Sequence, residues 1–277
     1  MKGRPLTAMA LYGSLTVLSV LWLVPVAAAT MISVIPIEQT RLGWWKSGFA
    51  DLTIDNYRRA WEQGLSQYAL NSLVITVGSV AVTLVVGALA SYAFARMDFR
   101  FKRITYFLLV TTMIVPVQLI LIPMLPWLRT LGLSGGGQQF LGIVLVHTAF
   151  GAGWAIFMMY SFFAEVPEEL LEAARLDGAS HLDLLRRVVL PLTLPGLVSF
   201  AIIDFVFVWN DLLLGLSLLD RDHQPITVGL ANLQSPHLAQ EDLVAAGSIM
   251  AVLPPLVLFA VLNRYYVRGL FAGGVKG

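Results

Sequence analysis

The chain has 277 residues, 57% of them hydrophobic and 13% charged, with a net charge of +1 and no cysteine. Soluble domains carry about 25% charged residues, so an ordinary soluble fold is excluded. The balanced charge argues against a nucleic-acid partner, and the lack of cysteine excludes disulfides and thiolate metal sites. Mean hydropathy is +0.77, and several uncharged runs exceed the ~20 residues that cross ~30 Å of hydrocarbon. The chain reads as an all-α, multi-pass membrane protein. His147, His181, His223 and His237 are scattered without ligand spacing, so no metal site is expected.

The first uncharged run covers residues 5–37, with a span expected at about 8–31. Its basic start, Lys2 and Arg4, and the later Ala27-Ala28-Ala29 also fit a cleaved signal peptide. The apolar stretch is longer than the roughly 7–15 residues of a signal core, so an uncleaved first span is expected. A mixed segment, about 33–67, holds Trp44, Trp45, Phe49, Tyr57 and Trp61. Thr53 can cap a short helix there with Ile54, Tyr57 and Trp61 on one face. That helix suits either the headgroup layer, where aromatics collect, or a soluble partner outside.

Four further runs follow at 69–95, 104–128, 141–163 and 243–263, and a fifth at 194–218 is apolar apart from Asp204 and Trp209-Asn210-Asp211. Six transmembrane helices are therefore expected. Pro116, Pro123 and Pro126 in one run and Pro254-Pro255 in another predict kinks, since proline removes a helical hydrogen bond. With the N-terminus inside, Arg41, Lys46, Arg58, Arg59, Arg129 and Arg221 fall outside, and the other twelve of the 18 lysines and arginines fall inside. The excess of inside charge places both termini in the cytoplasm.

Between the fourth and fifth spans lies a polar island on that same inner side, at about 165–191. Pro167 suits the start of a helix, and Glu168, Glu169 and Glu172 put negative charge near its positive end. Gly178 can take the left-handed conformation that closes it. Ser180 and Asp183 have capping-box spacing for a second short helix, which Pro191 is expected to stop. The result is a helix–turn–helix elbow. Its geometry alone fits a plain connector or a docking surface.

The residues Glu172-Ala173-Ala174, Asp177-Gly178 and Leu190-Pro191 resemble the EAA loop of permease subunits in binding-protein-dependent ABC importers. Asn56-Tyr57, Asn71-Ser72, Ser91-Tyr92-Ala93-Phe94-Ala95-Arg96, Leu131-Gly132-Leu133 and the tail from Gly269 are similar to the maltose-type, sugar-importing branch. The resemblance covers nearly the whole chain and is weakest before about residue 50. It implies the type I ABC importer permease fold in a bacterial or archaeal cytoplasmic membrane. It also implies a second permease subunit forming a heterodimer, two cytoplasmic ATPase subunits and an external substrate-binding protein. In such importers the elbow docks in a cleft of the ATPase. Glu172 would be the charged contact, Ala173 and Ala174 the small seat, and Gly178 the turn, with Asp177 pairing with the ATPase or capping the elbow. Residues 1–66 would then form the first span and an external segment, and 67–277 the permease core.

Asp204 and Asp211 lie seven residues apart, which puts them on one face of a continuous helix, ~11 Å apart. A carboxylate in the hydrocarbon costs at least ~2.5–3.5 kcal/mol, so both are expected to face a bundle interior or an aqueous path. Either they hydrogen-bond between helices, or they join Phe207, Trp209, Asn210 and His147 as a path for a sugar. The outer loop at 220–242, with Gln224-Pro225-Ile226-Thr227-Val228-Gly229-Leu230, resembles the segment that meets the binding protein, and a solvated connector fits it equally well.

The sequence holds no G-x-x-x-x-G-K-[ST] phosphate loop, so no catalytic residue and no cofactor is expected in this chain. ATP and magnesium would bind the partner ATPase. The reading is a permease subunit for a sugar or polyol, not an enzyme. Alternatives are an ABC permease for another small polar solute, an ion-coupled carrier using Asp204 and Asp211, and an intramembrane hydrolase built from those two with His147. Internal repeats expected of many carriers are not seen.

Overall fold

The computed structural model describes residues 5–46, 52–233 and 240–272. Phe49, His237 and the tail from Gly273 lie outside them. Among the described residues every regular element is helical. The chain folds as two compact units, one from the segments Met1–Ser66 and Gly229–Leu253, the other from Gln67–Val228 and Pro254–Gly277.

In the first unit, α1 (Pro5–Ser33) is the first span. Its hydroxyls turn back onto their own helix, as in Thr16 Oγ1 to the Tyr12 carbonyl (2.8 Å) and Thr30 Oγ1 to the Val26 carbonyl (2.8 Å). The chain then turns through α2 (Ile37–Leu42) and α3 (Asp55–Ala60). Thr53 Oγ1 accepts from the Asp55 N–H at 3.1 Å, but it stands one residue ahead of the N-cap, which is Ile54 and makes no side-chain bond. The face of α3 that packs inward is Asn56 and Ala60, while Ile54 and Trp61 stay exposed. Asn56 explains the choice: its amide donates to the Ser33 and Ile35 carbonyls at 3.1 and 2.8 Å. Carbonyls at a helix end lack internal partners, and a buried amide meets that need. Arg59 pairs with the buried Asp242 carboxylate at 3.2 Å.

The second unit is organised on two unbroken helices, α4 (Ser66–Arg96, entering the unit at Gln67) and α7 (Gln138–Ala164). Neither contains proline. They approach closely because small residues meet: a Cβ added at Gly87 would lie 2.5 Å from the Ala155 Cβ, the small-residue contact that membrane helices use. Polar bonds join them beside it, Thr83 Oγ1 to Thr148 Oγ1 at 3.5 Å and Ser91 Oγ to the Ile156 carbonyl at 3.3 Å.

The other spans are broken. α5 (Lys102–Thr111), with a 3-10 turn to Ile114, meets α6 (Val117–Thr130) at a bend of 102°. The bend falls at Val115-Pro116, where Val115 is extended because the residue before a proline is pushed out of the helical region. Pro123 and Pro126 sit inside α6, and Pro254 and Pro255 inside α14 (Glu241–Ala272). Among the described residues four helices are long and apolar enough to cross a membrane, and up to six if each bent pair is one span, in line with the six expected from the sequence.

The run expected as one span at 194–218 is corrected. Helix α11 (Leu194–Trp209) stops there, and α12 (Leu213–Leu218) begins anew. The Asp211 carboxylate accepts from the Leu214 and Gly215 N–H groups at 3.3 and 3.1 Å. Aspartate caps a helix start in this way, so it ends one helix and opens the next. Asp204 and Asp211 therefore do not share one continuous helical face. Helix α13 (Ile226–Leu233) follows.

Candidate functional site

The elbow is built from α8 (Glu168–Leu176), a tight turn, α9 (His181–Asp183), a wide π-type turn over Leu184–Val189, and α10 (Leu190–Leu192). Pro167 sits at the N-cap, one residue ahead of its expected place in the first turn. Gly178 has φ +84°, and the Ala179 and Gly178 N–H groups bond to the Ala174 and Arg175 carbonyls, both at 3.0 Å. These are the two bonds of a Schellman closure. Ser180 and Asp183 form the predicted capping box. Pro191 does not stop the second helix, which continues to Leu192. The break comes at Thr193, where the path bends by 79° into α11.

The elbow has two faces. Leu171, Leu184, Leu185 and Val189 are buried with Phe163, Phe200 and Tyr92 in one apolar cluster, and Ala174 packs against it. Glu172, Ala173, Arg175, Asp177 and Gly178 are exposed. The two alanines expected to form one small seat are thus divided: Ala174 faces its own unit and Ala173 faces outward. No side chain of this unit lies within 4 Å of a Cβ placed on Gly178.

The C-terminal end of α4 grips both legs of the elbow. Arg96 donates through Nε to the Phe163 carbonyl (3.0 Å) and through Nη1 to Glu168 (2.9 Å), and its Nη2 also reaches the Val166 carbonyl. Glu168 in turn accepts from Arg175 at 2.7 Å. The guanidinium thus satisfies carbonyls at the end of α7, where a cation is also favoured by the helix dipole. One turn earlier, Tyr92 shares a 3.0 Å hydrogen bond with His181 Nδ1. The sequence pointed to Tyr92 and Arg96 only as part of a family-like stretch and to Glu168 only as charge at a helix start. The bonds that join them were not read, although Tyr92 and Arg96 stand at i, i+4 on the last turn of a long apolar run.

The residues expected along a solute path do not converge. Asp204 is buried beside Gly151 and Thr83, its Oδ2 without a hydrogen-bond partner. Phe207 is 69% exposed and Asn210 is exposed, bonding back to the Val206 carbonyl at 2.7 Å. Trp209 is buried and stacks on Phe205 at 5.6 Å. His147 is the one member brought to another, its buried Nε2 lying 3.8 Å from the Asp211 carboxylate.

Residues 83–271 match the family of binding-protein-dependent transport system inner membrane components. The chain belongs to that family. This inner membrane component is 38% identical over 242 residues to an osmoprotective-compound uptake permease protein of Synechocystis sp., covering 84% of this chain and 80% of that one. It is 36% identical over 231 residues to a trehalose transport system permease protein of Mycobacterium tuberculosis, covering 82% and 83%. Its fold matches that of a bacterial ABC transporter chain involved in importing the acidic polysaccharide alginate, with a TM-score of 0.82 at 21% identity over 96% of this chain and 98% of that one. It is therefore a multi-pass permease of the type I importer fold, with the elbow inside the matched region.

Proposed function

We propose that this permease forms half of the membrane path of an ATP-driven importer for a sugar or related polyol, and that its elbow transmits motion from a separate ATPase. The observation that carries the reading is the division of the elbow into a buried apolar underside and an exposed face bearing Glu172, Ala173 and Asp177. A helix anchored on one side and charged on the other is suited to a basic cleft on a soluble subunit. The trehalose and osmoprotectant relatives support the cargo class.

On this reading both termini and the elbow lie in the cytoplasm. A second permease subunit completes the path as a heterodimer, two ATPase subunits bind ATP and magnesium, and an external binding protein delivers the solute. The chain carries no catalysis and no cofactor of its own. Residues 1–66 supply the first span and an external segment, and 67–277 the permease core. Among the path residues, Asp204 acts from inside its unit, Asp211 and His147 shape the α11–α12 break, and Phe207 and Asn210 are the members placed to meet a solute.

The test is Glu172→Lys in the assembled transporter. Insertion and membrane level are expected to hold while uptake of a disaccharide and polyol panel falls to background and ATPase co-purification weakens. Uptake at the parental rate with normal co-purification would remove the elbow from the coupling path.

A further inference from the structure

Helix α4 makes polar side-chain bonds at both ends, and only the elbow end enters the reading above. At the other end, Asn71 Nδ2 donates to the Asp222 and Gln224 carbonyls at 2.9 and 3.0 Å, and Ser72 Oγ accepts from the Ile226 N–H at 2.7 Å. Both side chains are buried. The same loop is held from α7, where Gln139 donates to Asp220 Oδ2 at 2.6 Å and accepts from the Asp220 N–H at 2.8 Å.

Asn71 and Arg96 are 25 residues apart on one helix, or ~38 Å at 1.5 Å per residue. Helices α4 and α7 are free of proline, and the Gly87–Ala155 approach and two polar bonds lock them side by side. The pair of bent spans cannot carry displacement along their axes, because each has a break of 79° or more. A stiff pair with polar clasps at both ends can.

We propose that α4, joined to α7, is a strut that carries displacement between the loop at 220–226 and the elbow, with Asn71 and Arg96 as positioning residues at its two ends. The inference rests on the elbow transmitting ATPase motion. Side chains binding backbone carbonyls fix the place of the loop and of the elbow whatever their outward residues are. A shift at either clasp therefore moves the other, and by linkage the effect runs both ways. A binding protein meeting the loop would act on the ATPases through the same strut.

The chain lacks cysteine, so Arg221→Cys on the exposed loop gives it one labelling position. The assembled transporter is labelled there and its signal compared before and after trapping with ATP and vanadate, the unsubstituted complex serving as blank. Trapping is expected to shift the signal. Arg96→Met and Asn71→Ala should each cut that shift at least about fivefold while ATP hydrolysis continues, and Arg96→Lys should restore part of it. Tyr92→Phe and Ser72→Ala, which each remove one hydroxyl, should give smaller losses, read at matched assembly of the complex. A full shift in both Arg96→Met and Asn71→Ala overturns the strut and leaves the elbow reading standing. If trapping shifts nothing in the parent, or shifts it equally in Glu172→Lys, the elbow reading fails and takes the strut with it.

Discussion

Substitution of Gly178 separates backbone strain from side-chain contact. Its φ of +84° lies in the left-handed region, where a Cβ costs an L-residue roughly 1–2 kcal/mol. Among the described residues nothing lies within 4 Å of a Cβ placed there, so the cost is conformational and not steric. A penalty of that size lowers the population of the closed turn by roughly 5–30-fold relative to open forms. Asparagine tolerates this region better than alanine, and a β-branched residue tolerates it least. The expected order is therefore Gly178 > Gly178→Asn > Gly178→Ala > Gly178→Val, although asparagine is larger than alanine. Trypsin cleavage at the exposed Arg175, timed on the solubilised transporter, reads the opening of the turn, and uptake at matched membrane level reads its consequence. Losses that follow side-chain volume, with Gly178→Ala mildest, would refute the strain argument and place an external surface against Gly178.

Three other outcomes follow from the same geometry. Gly87→Leu should overpack the α4–α7 contact and destabilise the fold by about 1–3 kcal/mol; the melting temperature in detergent should fall, with partial recovery in Gly87→Leu, Ala155→Gly if the contact is the cause. Asn56→Ala strips donors from the Ser33 and Ile35 carbonyls at a cost of about 1–3 kcal/mol, and should hasten trypsin cleavage at Arg41 and Arg58 without changing insertion of α1. Hydrogen bonds from His223 and Gln139 hold the Asp220 carboxyl below its usual range. A depressed carboxyl contributes stability that is present above the unfolded value of ~3.9 and lost as pH falls through its lower folded value. Hydrogen exchange at 220–226 should therefore rise only below about pH 4, and Gln139→Ala should weaken that dependence.

The spans were legible because a bilayer demands long uncharged helices, and composition alone meets that demand. The elbow was legible through local rules: the Gly178 closure and the Ser180–Asp183 box each depend on a few adjacent residues. The break after Trp209 was missed because hydropathy outweighed the capping chemistry of Asn210 and Asp211, two residues that favour helix ends and turns. Prolines were legible only in part: the kink expected at Pro116 is there, and the stop expected at Pro191 is not. Pro116 marks a bend of 102°, while Pro191 passes within a helix preceded by a wide π-type turn. The bonds of Asn56, Asn71 and Arg96 reach from 21 to 153 positions along the chain, and periodicity carries no information about partners so distant. The dispersal of Phe207, Trp209 and Asn210 had the same cause, since side-chain chemistry was read without knowing where α11 ends.

The self-contained hydroxyls of α1 make it interchangeable. Residues 9–27 are exposed, and Ser14, Thr16, Ser19 and Thr30 each donate to a carbonyl of their own helix. Such a segment presents the bilayer with hydropathy and length and nothing that must be matched residue by residue. An unrelated apolar helix of the same length, ending in the same Ser33–Ile35 carbonyls for Asn56 to hold, should serve as well. The identity of the first span resides in its last turn.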